Sequence, residues 1–274
     1  MDGSDAMAAA RGVGQGSEDG RHAARMNGMP RRLMAALPPE IHRAYYRLRD
    51  PGYYGKLQSL RTRKISPDYP VTLAPMIARR AVFVHIPKCA GLSVTNALFG
   101  CRGGGHLPIT AYRLALTGRE YREFFKFTFV RNPWDRVHSA YRFLRAGGLV
   151  PEDAARAERS IAPYPDFDAF VRGFIDGGDI WSALHFRPQY AFVCMTGRSA
   201  PAVDFVGRYE RLDDDYRHVC ARLGVEAPLA RMNPTGGSEG DYRRAYSDAT
   251  AEIVARAYAR DVELFGYSFD GGAS

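Results

Sequence analysis

The chain of 274 residues is 46% hydrophobic and 25% charged, a composition that excludes wholesale disorder and suffices for one domain with a sizeable core. Its 38 lysine and arginine residues against 30 acidic ones give a net charge of +8, which indicates an anionic partner: a polynucleotide, a membrane surface or a phosphate ester. No run of 18 apolar residues is present and the N-terminus lacks the apolar stretch of a secretory signal, so we expect a cytoplasmic protein without a transmembrane segment.

The composition divides the chain into three regions. Residues 1–30 are small, polar and rich in glycine, which predicts a disordered tail. Residues 31–79 are predicted to form a helical or irregular N-terminal extension, with a short amphipathic stretch at 40–48 followed by several prolines. Residues 80–270 contain the apolar strand-like and helix-like segments and are predicted to form the main folded domain.

Short apolar strands alternate with helices in this domain. Three segments have the composition of buried strands: residues 81–86, 126–130 and 204–207. Four segments have the apolar spacing of helices: residues 92–99, 134–144, 213–223 and 247–265. The alternation predicts an α/β fold with a central, mainly parallel sheet flanked by helices. Residues 146–180 are interpreted as an insertion between sheet elements, the kind of region where acceptor specificity often resides, and residues 233–244 as a second flexible loop.

A lysine and a glycine lie in the turn between the first strand and its helix. Lys88 opens this turn, Gly91 lets the backbone approach a ligand, and Ser93 adds a hydroxyl. Backbone N–H groups at such a helix start lack intrahelical partners and favour anions. The turn is interpreted as a phosphate or sulfate site, with an ordinary βα turn as the alternative. Because Lys88 precedes the glycine, the order differs from a Walker A loop.

A second candidate anion site follows the second strand. Arg131 lies at the carboxyl end of that strand, where open α/β sheets place ligands, and Ser139 lies on the next helix. A guanidinium fork and a hydroxyl there can converge on a phosphate, although each residue alone also fits a surface or capping role. On the same helix, Arg136 is expected to face the sheet or pair with an acid, and His138 to point away from Arg131 and Ser139.

Together these segments resemble the nucleotide-binding signatures of a known enzyme family. IPKCAGLS at 86–93 and FVRNPWDRVHSAY at 129–141 are similar to those of sulfotransferases that use 3′-phosphoadenosine-5′-phosphosulfate (PAPS), specifically the Golgi-type carbohydrate sulfotransferases and their bacterial relatives. Residues 181–189, 204–212 and 258–269 resemble further blocks of that family in matching order. The resemblance therefore covers roughly residues 80–270.

The resemblance implies a three-layer, P-loop-like fold and a set of donor contacts. The residues that would hold the phosphosulfate are Lys88, Cys89, Ala90, Gly91, Leu92 and Ser93. Arg131 and Ser139 would hold the 3′-phosphate. Cys89 stands where the family usually has Thr or Ser, which removes one hydroxyl contact. Transfer of the sulfuryl group to a hydroxyl of a carbohydrate or glycan would leave 3′,5′-ADP as the product.

Sulfuryl transfer needs a cation at the leaving phosphate and a general base at the acceptor hydroxyl. Lys88 suits the first role, and a histidine suits the second because its pKa lies near neutrality. His106 follows a run of glycines and matches a histidine-bearing segment of the family, so it is the first candidate for the base. His185 is the second, with substrate positioning as its other role, and His85 is interpreted as a core histidine or an indirect contact to the donor.

Two other functions are compatible with parts of the sequence. A nucleotide-dependent, kinase-like transferase is disfavoured by the order of the loop, and a nucleic-acid-binding protein by arginines scattered along the chain. No metal site is predicted, since the cysteines and histidines lack ligand spacing, and PAPS needs no metal to activate it. The expected partner is a glycan or another hydroxyl-bearing acceptor and no nucleic acid, with a peripheral membrane location only if that acceptor is lipid-linked. The sequence sets neither the acceptor nor the oligomeric state.

Overall fold

The computed structural model describes residues 31–66, 71–230 and 242–271. The tail predicted over residues 1–30 and most of the loop predicted over residues 233–244 lie outside these ranges.

A parallel three-stranded sheet forms the centre of the described domain. Strands β1 (Ala81–Val84), β2 (Phe125–Val130) and β3 (Phe205–Arg208) lie side by side in that order, and both pairs are parallel. Strand β1 and most of β2 are buried, as expected for a sheet that is covered on both faces. The sheet confirms the predicted α/β class.

Helices connect and cover the strands. Their bounds are α1 Arg31–Ala36, α2 Pro39–Arg49, α3 Pro51–Ser59, α4 Ala74–Ala78, α5 Gly91–Phe99, α6 Ile109–Ala115, α7 Gly118–Glu123, α8 Pro133–Arg145, α9 Pro151–Ser160, α10 Phe167–Phe170, α11 Tyr190–Val193, α12 Leu212–Leu223, α13 Asp248–Ala257 and α14 Ala259–Phe265. Short 3₁₀ turns occur at Tyr209–Arg211 and Tyr242–Ala245, and a π-helical stretch at Val171–Ile175 continues α10.

Two predicted element boundaries are wrong. The first strand ends at Val84 rather than at residue 86, because His85 and Ile86 leave the ladder and already belong to the turn. The helix predicted over 247–265 is interrupted at Tyr258, whose φ of −113° and ψ of 23° are not helical. The Tyr258 hydroxyl donates to the carbonyl of Phe186 at 2.6 Å, so a tertiary contact accompanies the interruption.

The region predicted as an insertion contains regular structure. Residues 146–180 include α9, α10 and the π-helical stretch, and α9 packs against α8. Phe170 is fully buried, with its ring centroid 5.1 Å from that of Phe186. This region therefore contributes to the core.

The N-terminal extension is attached to α6 by side-chain hydrogen bonds. The guanidinium of Arg43 donates to the carbonyls of Leu114 and Leu116, and Arg61 donates to that of Ala115 at 3.0 Å. These are carbonyls at the C-terminal end of α6, which have no partner within the helix. The extension thus provides hydrogen-bond donors for the C-terminal carbonyls of α6, the helix that follows the loop of His106.

Candidate active site

The turn after β1 has an unusual backbone. Lys88 and Ala90 have φ values of 71° and 58°, the left-handed region that non-glycine residues rarely occupy. Such residues cost about 1–3 kcal/mol each, a strain that clusters at ligand-binding sites. Helix α5 starts directly after Ala90, and no side chain of the described residues caps it there. Its first amide groups are therefore open to an anion at the helix end.

Gly91 is required by a histidine that lies under this turn. A Cβ at position 91 would lie 1.7 Å from Cδ2 and Nε2 of His85. The His85 ring is buried and stacks on Phe83 with 5.7 Å between ring centroids. Burial lowers the pKa of His85 well below its usual value, so this ring is neutral.

The Cys89 side chain points away from the outer face of the turn. Its thiol is 1% exposed and lies 3.5 Å from Oε1 of Gln189. Burial raises the pKa of this thiol to about 12, so it is protonated. The side chain that replaces the usual Thr or Ser is thus part of the core, and position 89 offers its backbone to a ligand.

The structure brings Arg131 and Ser139 together as predicted. Nη1 of Arg131 lies 3.2 Å from the Ser139 hydroxyl and donates to the carbonyl of Lys88 at 3.1 Å. The other side of the guanidinium makes two bonds to the Asp135 carboxylate, at 2.7 and 2.9 Å, and its carbon lies 4.0 Å from the Tyr209 ring centroid. Asp135 and Tyr209 therefore orient the guanidinium while Nη1 faces the turn of Lys88.

The Lys88 side chain extends over an aromatic ring of α8. Its ammonium lies 4.0 Å from the ring centroid of Phe143, a cation–π contact. Burial, with a smaller effect from the charge of Arg131, lowers the pKa of Lys88 to about 8. The lysine is still mostly charged at neutral pH, yet it holds its proton less firmly than a solvated lysine.

Three histidines lie together beside Lys88. The ring centroid of His106 is 4.2 Å from that of His85 and 6.4 Å from that of His185, and the His185 ring is 5.3 Å from Phe143. Both sequence candidates for the base are thus in one cluster, with His85 as a third member. Burial lowers the pKa of His106 to about 4 and that of His185 well below its usual value. All three rings are neutral near pH 7.

The two candidate bases differ in the nitrogen that they leave free. Nδ1 of His106 lies 3.0 Å from the carbonyl oxygen of His85, and since a carbonyl only accepts, Nδ1 carries the hydrogen. Nε2 of His106 therefore keeps its lone pair. His185 is buried, its Nδ1 has no hydrogen-bond partner among the described residues, and its Nε2 lies 3.8 Å from Oδ1 of Asp153. This last contact is no ion pair, because the ring is neutral.

The segment that carries His185 is anchored to the core by buried polar side chains. Arg136 is 0% exposed and donates to the carbonyls of His185 at 3.1 Å and Arg187 at 2.7 Å. Gln189 bonds the backbone of Arg131 twice, at 2.9 Å through Oε1 and at 2.8 Å through Nε2. The buried carboxylate of Asp261 accepts from the backbone N–H of Gln189 at 2.7 Å. Arg136 is thus buried, and its hydrogen-bond partners among the described residues are carbonyls rather than the acid that the sequence offered as one alternative.

Sequence reasoning missed Gln189, Asp261 and Asp153. Gln189 lies in a block noted for its family resemblance, and that proximity was the one signal for it. Asp153 and Asp261 lie in the first turns of their helices, where an acidic residue is common on a solvent-exposed surface. His138 lies outside the histidine cluster, with its ring centroid 5.1 Å from that of Phe167.

Comparison with known proteins decides the family. A model described as the sulfotransferase family matches residues 78–268 of the chain. The chain belongs to the sulfotransferase family. This membership supports a transferase that moves sulfuryl groups. This sulfotransferase is also 29% identical over 119 residues to an uncharacterized protein of Archaeoglobus fulgidus, an alignment that covers 43% of this chain and 82% of that protein. No solved structure matches it.

Two further observations describe this sulfotransferase. Within residues 31–66, 71–230 and 242–271, no group of histidine, cysteine, aspartate and glutamate side chains is arranged to hold a metal ion. No helix in those ranges is long and apolar enough to cross a bilayer.

Proposed function

We propose that this sulfotransferase moves the sulfuryl group of PAPS to a hydroxyl of a carbohydrate acceptor. The observation that carries the proposal is the contact between its two anion-binding elements. Arg131 Nη1 donates to the carbonyl of Lys88 and lies 3.2 Å from the Ser139 hydroxyl. The turn before α5 and the second candidate anion site are therefore adjacent. A nucleotide with phosphate on both sides of its ribose fits such a pair of adjacent sites.

The donor contacts divide between backbone and side chains. The amides of residues 88–93 would bind the phosphosulfate at the start of α5, with the Ser93 hydroxyl beside them. Arg131 and Ser139 would bind the 3′-phosphate. Asp135 keeps the Arg131 guanidinium in place through two bonds, with Nη1 between the carbonyl of Lys88 and the hydroxyl of Ser139.

The transfer step uses Lys88 and His106. The acceptor oxygen forms a bond to sulfur while the bond from sulfur to the bridging phosphate oxygen breaks. The acceptor proton goes to Nε2 of His106, the nitrogen that keeps its lone pair. The negative charge that develops on the departing phosphate of 3′,5′-ADP is stabilised by the ammonium of Lys88. His185 would position the acceptor through Nδ1, which has no hydrogen-bond partner among the described residues.

The acceptor side of the site has aromatic and basic side chains. Phe143 lies between Lys88 and His185. On the segment before His185, Trp181 is half exposed and its ring centroid lies 5.7 Å from that of Tyr190. Exposed aromatic rings stack on sugar faces, which supports a carbohydrate as the acceptor class.

Ligand binding and transfer test the proposal separately. Calorimetric titration of the full chain should show binding of 3′,5′-ADP, no comparable binding of ATP with Mg²⁺, and no binding of duplex DNA. Radiolabelled PAPS offered with a panel of glycans should then identify the acceptor. If only duplex DNA bound, and its affinity fell steeply with salt as phosphate-backbone contacts require, the chain would be a nucleic-acid-binding protein and the proposal would be wrong.

A further inference from the structure

A buried carboxylate lies beside the histidine cluster. Asp153 belongs to the first turn of α9, a helix whose other residues are mostly exposed, yet the Asp153 residue is 6% exposed. The chain before it is shaped around this side chain, because a Cβ on Gly148 would lie 2.1 Å from Cβ of Asp153. A carboxylate in such a place needs partners, since burial of an unpaired charge costs several kcal/mol or more.

The partners of Asp153 leave one oxygen facing the histidines. Oδ2 accepts from the amide of Leu149 at 3.1 Å. Oδ1 accepts from Nη1 of Arg156 at 2.9 Å and also lies 3.8 Å from Nε2 of His185. The carboxylate is thus bonded to Arg156 of its own helix and to the backbone before that helix, and its Oδ1 also lies close to His185.

Several charges act on His106 from the surrounding elements. Lys88 of the β1 turn and Arg156 of α9 both disfavour its imidazolium form, whereas Asp153 favours it, as does the bond to the carbonyl of His85. Asp153 likewise favours the charged form of Lys88. His185, which also faces His106, is neutral. Asp153 is therefore the carboxylate that acts on both proposed catalytic groups.

We infer that Asp153 is a positioning residue of the transfer reaction, whose carboxylate stabilises the imidazolium that forms when His106 takes the proton of the acceptor hydroxyl. The inference rests on the proposed function. His106 receives its proton in a buried place that already holds Lys88, so the positive charge that forms there is costly. Oδ1 of Asp153 lies 3.8 Å from Nε2 of His185, whose ring centroid is 6.4 Å from that of His106, so the carboxylate belongs to the same buried cluster. A nearby opposite charge changes a pKa by up to about 1–3 units.

Substitutions of Asp153 and Arg156 separate this role from a structural one. Asp153→Asn keeps the shape and removes the charge, and Arg156→Gln breaks the same ion pair but removes the opposing charge. We expect Asp153→Asn to slow sulfate release from radiolabelled PAPS, with water as the acceptor, by about 10-fold or more. Arg156→Gln should leave this rate unchanged or raise it. Glu152→Gln is the matched control, because it removes an exposed carboxylate from the same turn of α9.

A second measurement reads His106 without turnover. Carbethoxylation by diethyl pyrocarbonate, followed by mass spectrometry, should be slower at His106 in Asp153→Asn and faster in Arg156→Gln, with the exposed His218 as internal reference. The affinity for 3′,5′-ADP should change far less than the transfer rate in all variants, since the hydrogen bonds of Asp153 and Arg156 in the described part of the chain go to Leu149 and to each other and not to the proposed nucleotide site.

Failure of the role of Asp153 and failure of the proposed function give different results. If Asp153→Asn matched Glu152→Gln in both readouts, or if Asp153→Asn and Arg156→Gln slowed them equally, Asp153 would act only through its ion pair and the inference would be overturned. Loss of 3′,5′-ADP binding in Asp153→Asn alone would also overturn it, because the carboxylate would then hold the fold. If wild-type protein neither bound 3′,5′-ADP nor consumed PAPS, the proposed function itself would fail.

Discussion

Lys88 is the residue on which the proposed stabilisation of the leaving group depends. Lys88→Met keeps an apolar stem against Phe143 and removes the ammonium. Because a single group that stabilises developing charge contributes about 10²–10³-fold, we expect transfer from radiolabelled PAPS to fall by about that factor. Lys56→Met, on the exposed surface of α3, is the control and should change nothing. A Lys88→Met protein with turnover near that of the control would remove the assigned role.

The same lysine predicts a proton linkage. Burial first, and the charge of Arg131 second, lower its pKa to about 8 in the free protein. A bound phosphate favours the ammonium and raises this pKa, so 3′,5′-ADP binding near pH 8 should take up protons, and affinity should weaken as the pH rises further. Calorimetry in buffers of different ionisation enthalpy measures the uptake. Lys88→Met should abolish it, and persistence there would assign the proton to another group.

Gly91 can be tested together with the ring that it accommodates. Gly91→Ala places a methyl group within 1.7 Å of His85 atoms, so we expect a loss of about 1–3 kcal/mol in unfolding free energy, typical of overpacking, and weaker 3′,5′-ADP binding. Urea unfolding measures the first effect and calorimetry the second. In a His85→Ala background the same substitution should cost clearly less. Equal costs in both backgrounds would show that the clash is not the cause.

Helix α6 depends on residues far away in the chain for its C-terminal hydrogen bonds. Arg43 donates to the carbonyls of Leu114 and Leu116. Arg43→Ala removes the side-chain donor of the Leu116 carbonyl, whereas the Leu114 carbonyl still accepts from Nε2 of Gln58 at 3.0 Å. We expect the substitution to lower the free energy of unfolding by about 1–3 kcal/mol. Arg47→Ala, an exposed position on the same helix α2, is the control in urea unfolding. A Arg43→Ala protein as stable as the Arg47→Ala protein would contradict this account.

At the level of elements, the sequence predicted helices and strands well and their ends less well. Helix α5 was expected over 92–99 and α8 over 134–144, each within a residue of the observed bounds, because apolar spacing and Pro133 mark them. The break at Tyr258 carries no such mark, since the apolar face continues through α13 and α14. A hydrogen bond from the Tyr258 hydroxyl to the carbonyl of Phe186 accompanies that break, and such long-range contacts leave no local signal in the sequence.

At the scale of the whole molecule, part of the net charge of +8 has an internal use. Several arginines donate to backbone carbonyls of distant elements: Arg43, Arg61, Arg113, Arg136 and Arg208. A guanidinium offers five N–H donors, so it satisfies more than one carbonyl at once. The arginine excess that first indicated an anionic partner therefore also holds helices and segments together.

The candidate site was predictable where its residues lie in motifs and unpredictable where folding brings them together. Lys88, Arg131 and Ser139 lie in two coupled motifs, and the structure joins them through the carbonyl of Lys88. The clustering of His106 and His185 is a tertiary result of segments 79 positions apart (185 − 106). Asp153 gave no signal, because an acid in the first turn of a helix is common on any surface.

The burial of Cys89 has a consequence for measuring motion. A thiol that is 1% exposed, with a pKa near 12, cannot react with a disulfide reagent until the turn around it opens. Its labelling rate therefore equals the frequency of local opening when chemistry is fast, with the more accessible Cys220 as a reference. Saturation with 3′,5′-ADP should slow the labelling of Cys89 and leave that of Cys220 unchanged. The labelling rate of Cys89 thus reports how often the turn opens, and it can be measured without any acceptor.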